Sequence, residues 1–342
     1  MGVGVPIRLF DSGRFLDNAD DHPLVKRVVI ACGMRSKTRE SMQFDASRYF
    51  PTSPCYDFFA IYYQWIKSCV KRDCDLEVLA DTLIDVINEK TIHNIDSINT
   101  SICNLNCKEC SNGMQVRKGK KLVDIDRHRQ SLLRLTDVKP ISYCNIQGGE
   151  PLLDKNLAER IMLHSANPRI AFITMATNGT IVPDDSVMTA MRNSGVMLRI
   201  SDYGELSIHK DDQKRKAEQF LVPCDTYRRA ESWVSYGRFI QRGRTDDENR
   251  RIPSTCHFGS KDLMLYDGTL YSCCRVLFAD ALGIKNDCVI RNSLNVLETF
   301  SSEDLESIVT GKYLYMMCDY CDYPLKTVQV AEQLDRNVKI SF

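Results

Sequence analysis

The sequence carries no excess of either charge, because 45 lysines and arginines stand against 45 aspartates and glutamates in 342 residues. That balance removes the electrostatic case for a nucleic acid or an anionic membrane as partner. No run approaches the ~18 apolar residues of a membrane span. The start, MGVGVPIRLFDSG, lacks the charged and apolar regions of a signal peptide. Gly2 opens no myristoylation signal, since Pro6 stands where Ser or Thr is needed. No Gly-x-Gly-x-x-Gly follows the apolar run 28–31, so a dinucleotide-binding turn is not expected there. These absences predict a cytoplasmic protein with neither nucleic acid nor membrane as partner.

Cysteine is plentiful, with 15 residues, and the cysteines are grouped. In a reducing compartment, grouped thiols point to a metal or to catalysis. Cys103, Cys107 and Cys110 stand in SICNLNCKECSN with spacing Cys-x3-Cys-x2-Cys. Three thiolates on one loop can hold three corners of a four-iron cluster and leave the fourth iron open to a ligand that is not protein. Zinc is the alternative and needs a fourth ligand. The nearest histidines, His93 and His128, lie ten and eighteen residues from the run, whereas a Cys-x2-Cys pair recurs at Cys318 and Cys321.

From about Ile95 onward, short apolar runs alternate with amphipathic stretches. Strands are predicted at 141–146, 170–176, 196–200 and 220–224, and helices at 125–135, 156–164 and 184–191. Such repeats imply an α/β fold, a parallel sheet covered by helices in a whole or partial barrel. The chemically interesting residues fall where strands end: Cys103, then Gly148-Gly149-Glu150, Thr177-Asn178-Gly179 and Ser201-Asp202. Parallel α/β folds bind ligands at that rim. Upstream, 28–31 reads as a strand and 56–70 and 76–87 as helices. Downstream, 241–251 is charged and poor in apolar residues, which suits an exposed loop, and Tyr266-Asp267-Gly268-Thr269-Leu270 reads as a hairpin with an Asp-Gly turn.

The cysteine run, the Gly-Gly-Glu and the later strand-end residues together resemble the radical SAM superfamily. The resemblance implies a partial (β/α)6-type barrel in which Cys103, Cys107 and Cys110 bind a 4Fe-4S cluster and S-adenosyl-L-methionine takes the open iron. It implies cofactor contacts from Gly148, Gly149, Glu150, Asn178 and Ser201. One position departs from the pattern: Glu109 precedes the third cysteine, where the family often has an aromatic residue. Cys256, Cys273, Cys318 and Cys321, with Gly268 four residues before Cys273, resemble the twitch domain, a shortened form of the SPASM domain. The twitch resemblance implies a second, auxiliary 4Fe-4S cluster on those four cysteines, with Cys274 a competing ligand. No cysteine follows Cys321, so the longer form is not expected. The expected organisation is an N-terminal extension over 1–94, a radical SAM core over 95–250 and a twitch-like domain with the tail over 251–342.

By this resemblance the chain is expected to be an oxidoreductase. A 5′-deoxyadenosyl radical would abstract hydrogen from a hydroxylated small molecule, a sugar or aminocyclitol, and the auxiliary cluster would accept an electron. A flavodoxin or ferredoxin would supply the reducing electron. The alternatives are an epimerase with a thiol hydrogen donor at Cys144, Cys224 or Cys274, an enzyme modifying ribosomal peptides, and a non-catalytic metal-binding interaction protein. Arg199, Asp202, Tyr203 and Arg275 are candidates for handling a polar substrate, and Arg199 could equally pair with Glu150 inside the barrel.

Overall fold

The computed structural model describes residues 71–87, 90–228, 233–256, 259 and 262–335. The strand expected at 28–31 and the helix expected at 56–70 lie outside the described residues. The first described helix, α1 (Leu76–Ile87), packs on the central sheet. Just before it the buried Arg72 donates to the carbonyls of Ser165, Asn167, Ile170 and Ala171. A single guanidinium thereby satisfies four carbonyls around one turn and clasps this segment to the core.

Five parallel strands stand side by side in chain order: β1 (Ile92–Thr100), β2 (Ile141–Gly148), β3 (Ile170–Thr177), β4 (Met197–Asp202) and β5 (Cys224–Arg228). Helices α2 (Ile125–Val138), α3 (Leu157–Ser165), α4 (Asp185–Ser194) and α5 (Lys210–Gln219) connect them in turn. Local sequence fixes the helix ends. Asp124 and Asp184 accept from the Arg127 and Val187 amides as N-caps, and Gly195 ends α4 at φ 64°.

The two faces of these strands differ in chemistry. Ile95, Cys144, Ile146, Ile173, Met175, Leu198 and Ile200 form one apolar core with Leu132, Leu135, Leu157, Ile161, Met188 and Met191 of the covering helices. Asp96, Asn145, Thr174, Tyr143 and Arg199 lie on the other face and bond to one another across strands. Strand periodicity of two sets this division.

The C-terminal third adds three strands to the same sheet. It comprises β6 (Val234–Ser235), α6 (Asp246–Thr255), β7 (Leu263–Tyr266), β8 (Thr269–Tyr271), α7 (Cys274–Ala281), α8 (Asp287–Arg291), β9 (Ser293–Asn295), α9 (Ser302–Val309), α10 (Leu314–Cys318) and β10 (Lys326–Thr327). Strand β7 pairs in parallel with β1, and β8 and β9 extend the sheet antiparallel, giving the order β5-β4-β3-β2-β1-β7-β8-β9. Asp267 and Gly268 at φ 49° and 87° make the expected Asp-Gly turn between β7 and β8.

Two expectations fail. The fifth strand begins at Cys224, because Phe220 still belongs to the end of α5. The stretch 241–251 contains the start of α6, which Thr245 and Glu248 nucleate with a reciprocal capping box that outweighs the low apolar content. Among the described residues, no helix is long and apolar enough to cross a membrane.

Candidate active site

Cys103, Cys107 and Cys110 lie on the loop after β1 and face one cleft at the carboxyl ends of the strands. The cleft spans about 880 Å³ of space, open mouth included. Gly148, Gly149, Asn178 and Ser201 also line it. Glu109 lines it too, so the departing position still faces the site.

The glycines serve a close approach of backbone to backbone. A Cβ at Gly148 would stand 2.3 Å from the Thr100 carbonyl oxygen, and one at Gly149 would stand 2.1 Å from that of Ile102. Gly149 and Glu150 donate their amides to the Thr100 and Ile102 carbonyls, which lashes the end of β2 to the cysteine loop. Glu150 is fully buried and is not among the residues lining the cleft. Its carboxylate accepts from the Leu152 amide at 3.1 Å, the Thr177 hydroxyl at 2.9 Å and the Asn178 amide at 2.7 Å. Glu150 therefore braces the ends of β2 and β3 against each other. Burial pushes its carboxyl up to about 7, against these three donors that pull it down. Asn178 is held in turn: its side-chain amide donates to Asn104 at 3.0 Å and reaches Cys103 Sγ at 3.9 Å.

The tail supplies a contact that the sequence does not suggest. Gln333 donates its side-chain amide to Cys107 Sγ at 3.2 Å and accepts from the Asn106 amide, while the Leu334 amide donates to the Asn106 carbonyl. A segment more than 200 residues away in sequence thus lies over the cysteine loop. No local spacing signals such a contact. Tyr203, Trp233 and Tyr236 complete the aromatic part of the lining, with the Tyr203 and Trp233 rings edge to face at 5.2 Å.

Cys256, Cys273, Cys318 and Cys321 converge on a second cavity of about 430 Å³, which Cys274 and Arg275 also line. Tyr236 lines both cavities. Arg244 donates to the Cys318 and Cys321 carbonyls at 3.0 Å each, and Arg275 donates to the carbonyls of Tyr320 and Gly237. Burial raises the thiols of both sets: Cys103 and Cys273 to about 12, Cys107 and Cys321 to about 11. Among the described residues, no three His, Cys, Asp or Glu side chains converge tightly enough to hold a single metal ion.

The remaining candidates separate. Arg199 donates to the Tyr143 hydroxyl at 2.8 Å inside the barrel, not to Glu150. Asp202 accepts from Lys210 and from the Gly204 amide. Cys144 is fully buried in the helix-side core, and Cys224 opens β5 at partial exposure.

Residues 98–252 match the family model described as the radical SAM superfamily. That stretch is similar to a radical SAM superfamily domain. A GTP 3′,8-cyclase of Stenotrophomonas maltophilia (strain R551-3) is 34% identical over 85 residues, which make up 25% of this chain and 26% of that relative. The chain therefore matches about a quarter of the curated relative's length. Among solved structures, BtrN in complex with AdoMet and 2-DOIA is similar over 71% of this chain and 96% of its own, at 19% identity and a TM-score of 0.46. Histidine-tagged anSMEcpe with bound AdoMet is similar over 66% of this chain and 83% of its own, at 13% identity and a TM-score of 0.44. The matched stretch takes in the first cysteine set, the Gly-Gly-Glu and strands β2 to β5.

Proposed function

We propose that the chain is a radical SAM oxidoreductase acting on a hydroxylated small molecule, a sugar or aminocyclitol. The observation that carries this reading is that Cys103, Cys107 and Cys110 line the same cleft as Gly148, Gly149, Asn178 and Ser201. Three thiols that burial keeps protonated need a metal to ionise them, and three thiols beside a roomy cleft fit a 4Fe-4S cluster with one iron left to S-adenosylmethionine. When bound, the cluster and S-adenosylmethionine supply a 5′-deoxyadenosyl radical able to take a hydrogen atom from substrate carbon.

This chain's residues prepare that event. Gly148 and Gly149 keep the end of β2 pressed to the cysteine loop, Glu150 locks β2 to β3, and Asn178 and Ser201 present polar groups to the cleft. Cys256, Cys273, Cys318 and Cys321 fit a second cluster, to which a substrate radical would pass one electron as its hydroxyl loses a proton. Cys273 immediately precedes α7 and shares that cavity with Cys274, so either thiol has access to it. An external flavodoxin or ferredoxin would supply the reducing electron at the first cluster. In domain terms, 1–94 is an extension, 95–250 the radical SAM core and 251–342 the twitch-like part with the tail.

For epimerisation, burial on the helix side of the sheet disfavours Cys144 as the hydrogen donor and leaves Cys224 and Cys274 as candidates. Anaerobic reconstitution should give about eight irons per chain. Adding S-adenosylmethionine and a strong reductant should then give 5′-deoxyadenosine. Zinc without deoxyadenosine, in protein kept free of oxygen, would leave a metal-stapled binding protein instead. Turnover in deuterated water separates the chemistries, since a thiol donor would leave solvent deuterium on carbon.

A further inference from the structure

Strand register carries the lining of the cleft down into the barrel. Ala176, which lines the cleft, stands opposite Arg199 on β4, and Arg199 stands opposite Asp225 on β5. Partners in register project to the same face of a sheet, so Asp225 lies on the inward face. It sits one layer below the pair Ser201 and Tyr227, of which Ser201 lines the cleft. Asp225 is 2% exposed.

Among the described residues, neither Asp225 carboxylate oxygen has a hydrogen-bond partner. Its neighbours explain this. Arg199, the cation opposite it, sends Nη1 to the Tyr143 hydroxyl, and Tyr143 bonds Thr174, which bonds Asn145, which bonds Asp96. Four strands thus share one polar chain, and the carboxylate on the fifth strand is left out of it. Burial raises the Asp225 carboxyl to about 6, with the Thr226 backbone pulling the other way. It is therefore mostly ionised at neutral pH. A buried carboxylate with no side-chain donor is costly to a fold, so it is commonly found where a ligand supplies the donors.

We propose that Asp225 is a specificity-determining residue that receives a protonated amine of the substrate at the floor of the barrel, so that the ligand class is an amine-bearing small polyol. The inference rests on the reading of the cleft as a radical SAM site and deepens it. An ammonium brings up to three donors and a compensating charge to the two free oxygens, whereas a hydroxyl brings one donor and no charge.

The test uses the reconstituted holoprotein in two arms. In the first, wild-type protein is assayed for 5′-deoxyadenosine with S-adenosylmethionine and reductant; a negative result sinks the reading of the cleft, whatever Asp225 does. In the second, thermal unfolding is followed with glucosamine, N-acetylglucosamine or glucose as probes, for wild type and Asp225→Asn. Glucosamine should raise the wild-type Tm in a saturable way, with an apparent Kd at least tenfold below those of the neutral probes, and this preference should vanish in Asp225→Asn. Without probe, Asp225→Asn should unfold about 3 °C or more above wild type, since it sheds an unpaired buried charge. A lower Tm, failure of the variant to fold, or wild-type protein that does not prefer glucosamine to glucose would each overturn the assignment.

Discussion

The two cysteine-lined cavities use the same side chain for opposite architectures. The first takes three thiols from one loop of eight residues, and the walls around it are strand ends carrying Gly, Asn and Ser over a cleft of about 880 Å³. The second takes thiols from widely separated stretches of chain, and Ile252, Leu314, Met317 and Leu325 line a space of about 430 Å³, open mouth included. A local motif leaves the far side of its metal free for a ligand. A distributed one surrounds whatever it holds, so it suits storage or passage of an electron. The difference is one of topology: β7 runs parallel to β1 and carries the second set to the flank of the sheet, while the first sits at its rim.

The strongest way to break this comparison is to remove one thiol from each set. Cys107→Ala should abolish deoxyadenosine formation, by at least 100-fold, and reduce iron from about eight to about four per chain. Cys318→Ala should lose a similar amount of iron yet still cleave S-adenosylmethionine when substrate is absent. Equal loss of cleavage in both variants would mean that the two cavities do not divide the work in this way.

The unequal legibility of the two sites has a physical origin. Strand ends, the Cys-x3-Cys-x2-Cys run and the Asp-Gly turn are encoded within a few residues of each other, so β1 to β4 and the β7–β8 hairpin can be read off directly. The start of β5 is ambiguous because Phe220 and Val222 are apolar in either a helix end or a strand, and only packing decides between them. Helix α6 escapes a search for apolar stripes because its signal is a cap. Gln333 over Cys107 and the unpartnered Asp225 are out of reach, because both depend on residues brought together only by the completed sheet.

A second contrast concerns how tightly the rim is built. Gly149→Ala would drive a methyl to 2.1 Å from the Ile102 carbonyl oxygen and 2.9 Å from Cys103 Cβ, both backbone or anchored atoms. It should cost about 1–3 kcal/mol and displace the first cysteine loop. Gly119→Ala, at φ 63° with nothing near its would-be Cβ, should cost only about 1–2 kcal/mol from the left-handed backbone, with iron content unchanged. Chemical denaturation with iron analysis distinguishes the two. Equal iron loss in both would show that the close approach at the rim does not hold the loop.

The helix-covered face of β1, on the other side of the sheet from the cleft, should also be the acid-sensitive one. Ser97 Oγ on β1 lies 2.9 Å from Nε2 of both His128 and His164. His164 Nδ1 lies 2.7 Å from the Arg160 carbonyl and must donate to it, so its Nε2 accepts from Ser97 while His128 donates to Ser97. That arrangement needs the His164 ring neutral. Burial brings His164 down to about 4 and holds His128 well below the usual histidine range. Unfolded histidines protonate near 6.5, so below that pH the unfolded chain binds more protons. Stability should fall as pH drops from about 6.5 to about 4, by about 3 kcal/mol for His164. Urea midpoints over that range should fall less steeply in His164→Gln than in wild type. Parallel curves would remove the cluster as the acid-labile point.

The smallest effects should come from the groups that hold each cysteine loop from outside. Gln333 gives Cys107 Sγ one neutral amide donor at 3.2 Å, whereas Arg244 gives two charged donors to the Cys318 and Cys321 carbonyls at 3.0 Å each. Charged hydrogen bonds contribute about 1.5–3 kcal/mol and neutral ones about 0.5–1.5. Arg244→Ala should therefore loosen the second set more than Gln333→Ala loosens the first, even though only Gln333 touches a sulfur. Iron release to a chelator, followed separately for the two sites by their spectra, gives the order. If Gln333→Ala releases iron faster, the amide-to-sulfur contact matters beyond its electrostatics, because the tail it anchors would then be the cover that keeps chelator and solvent from the first loop.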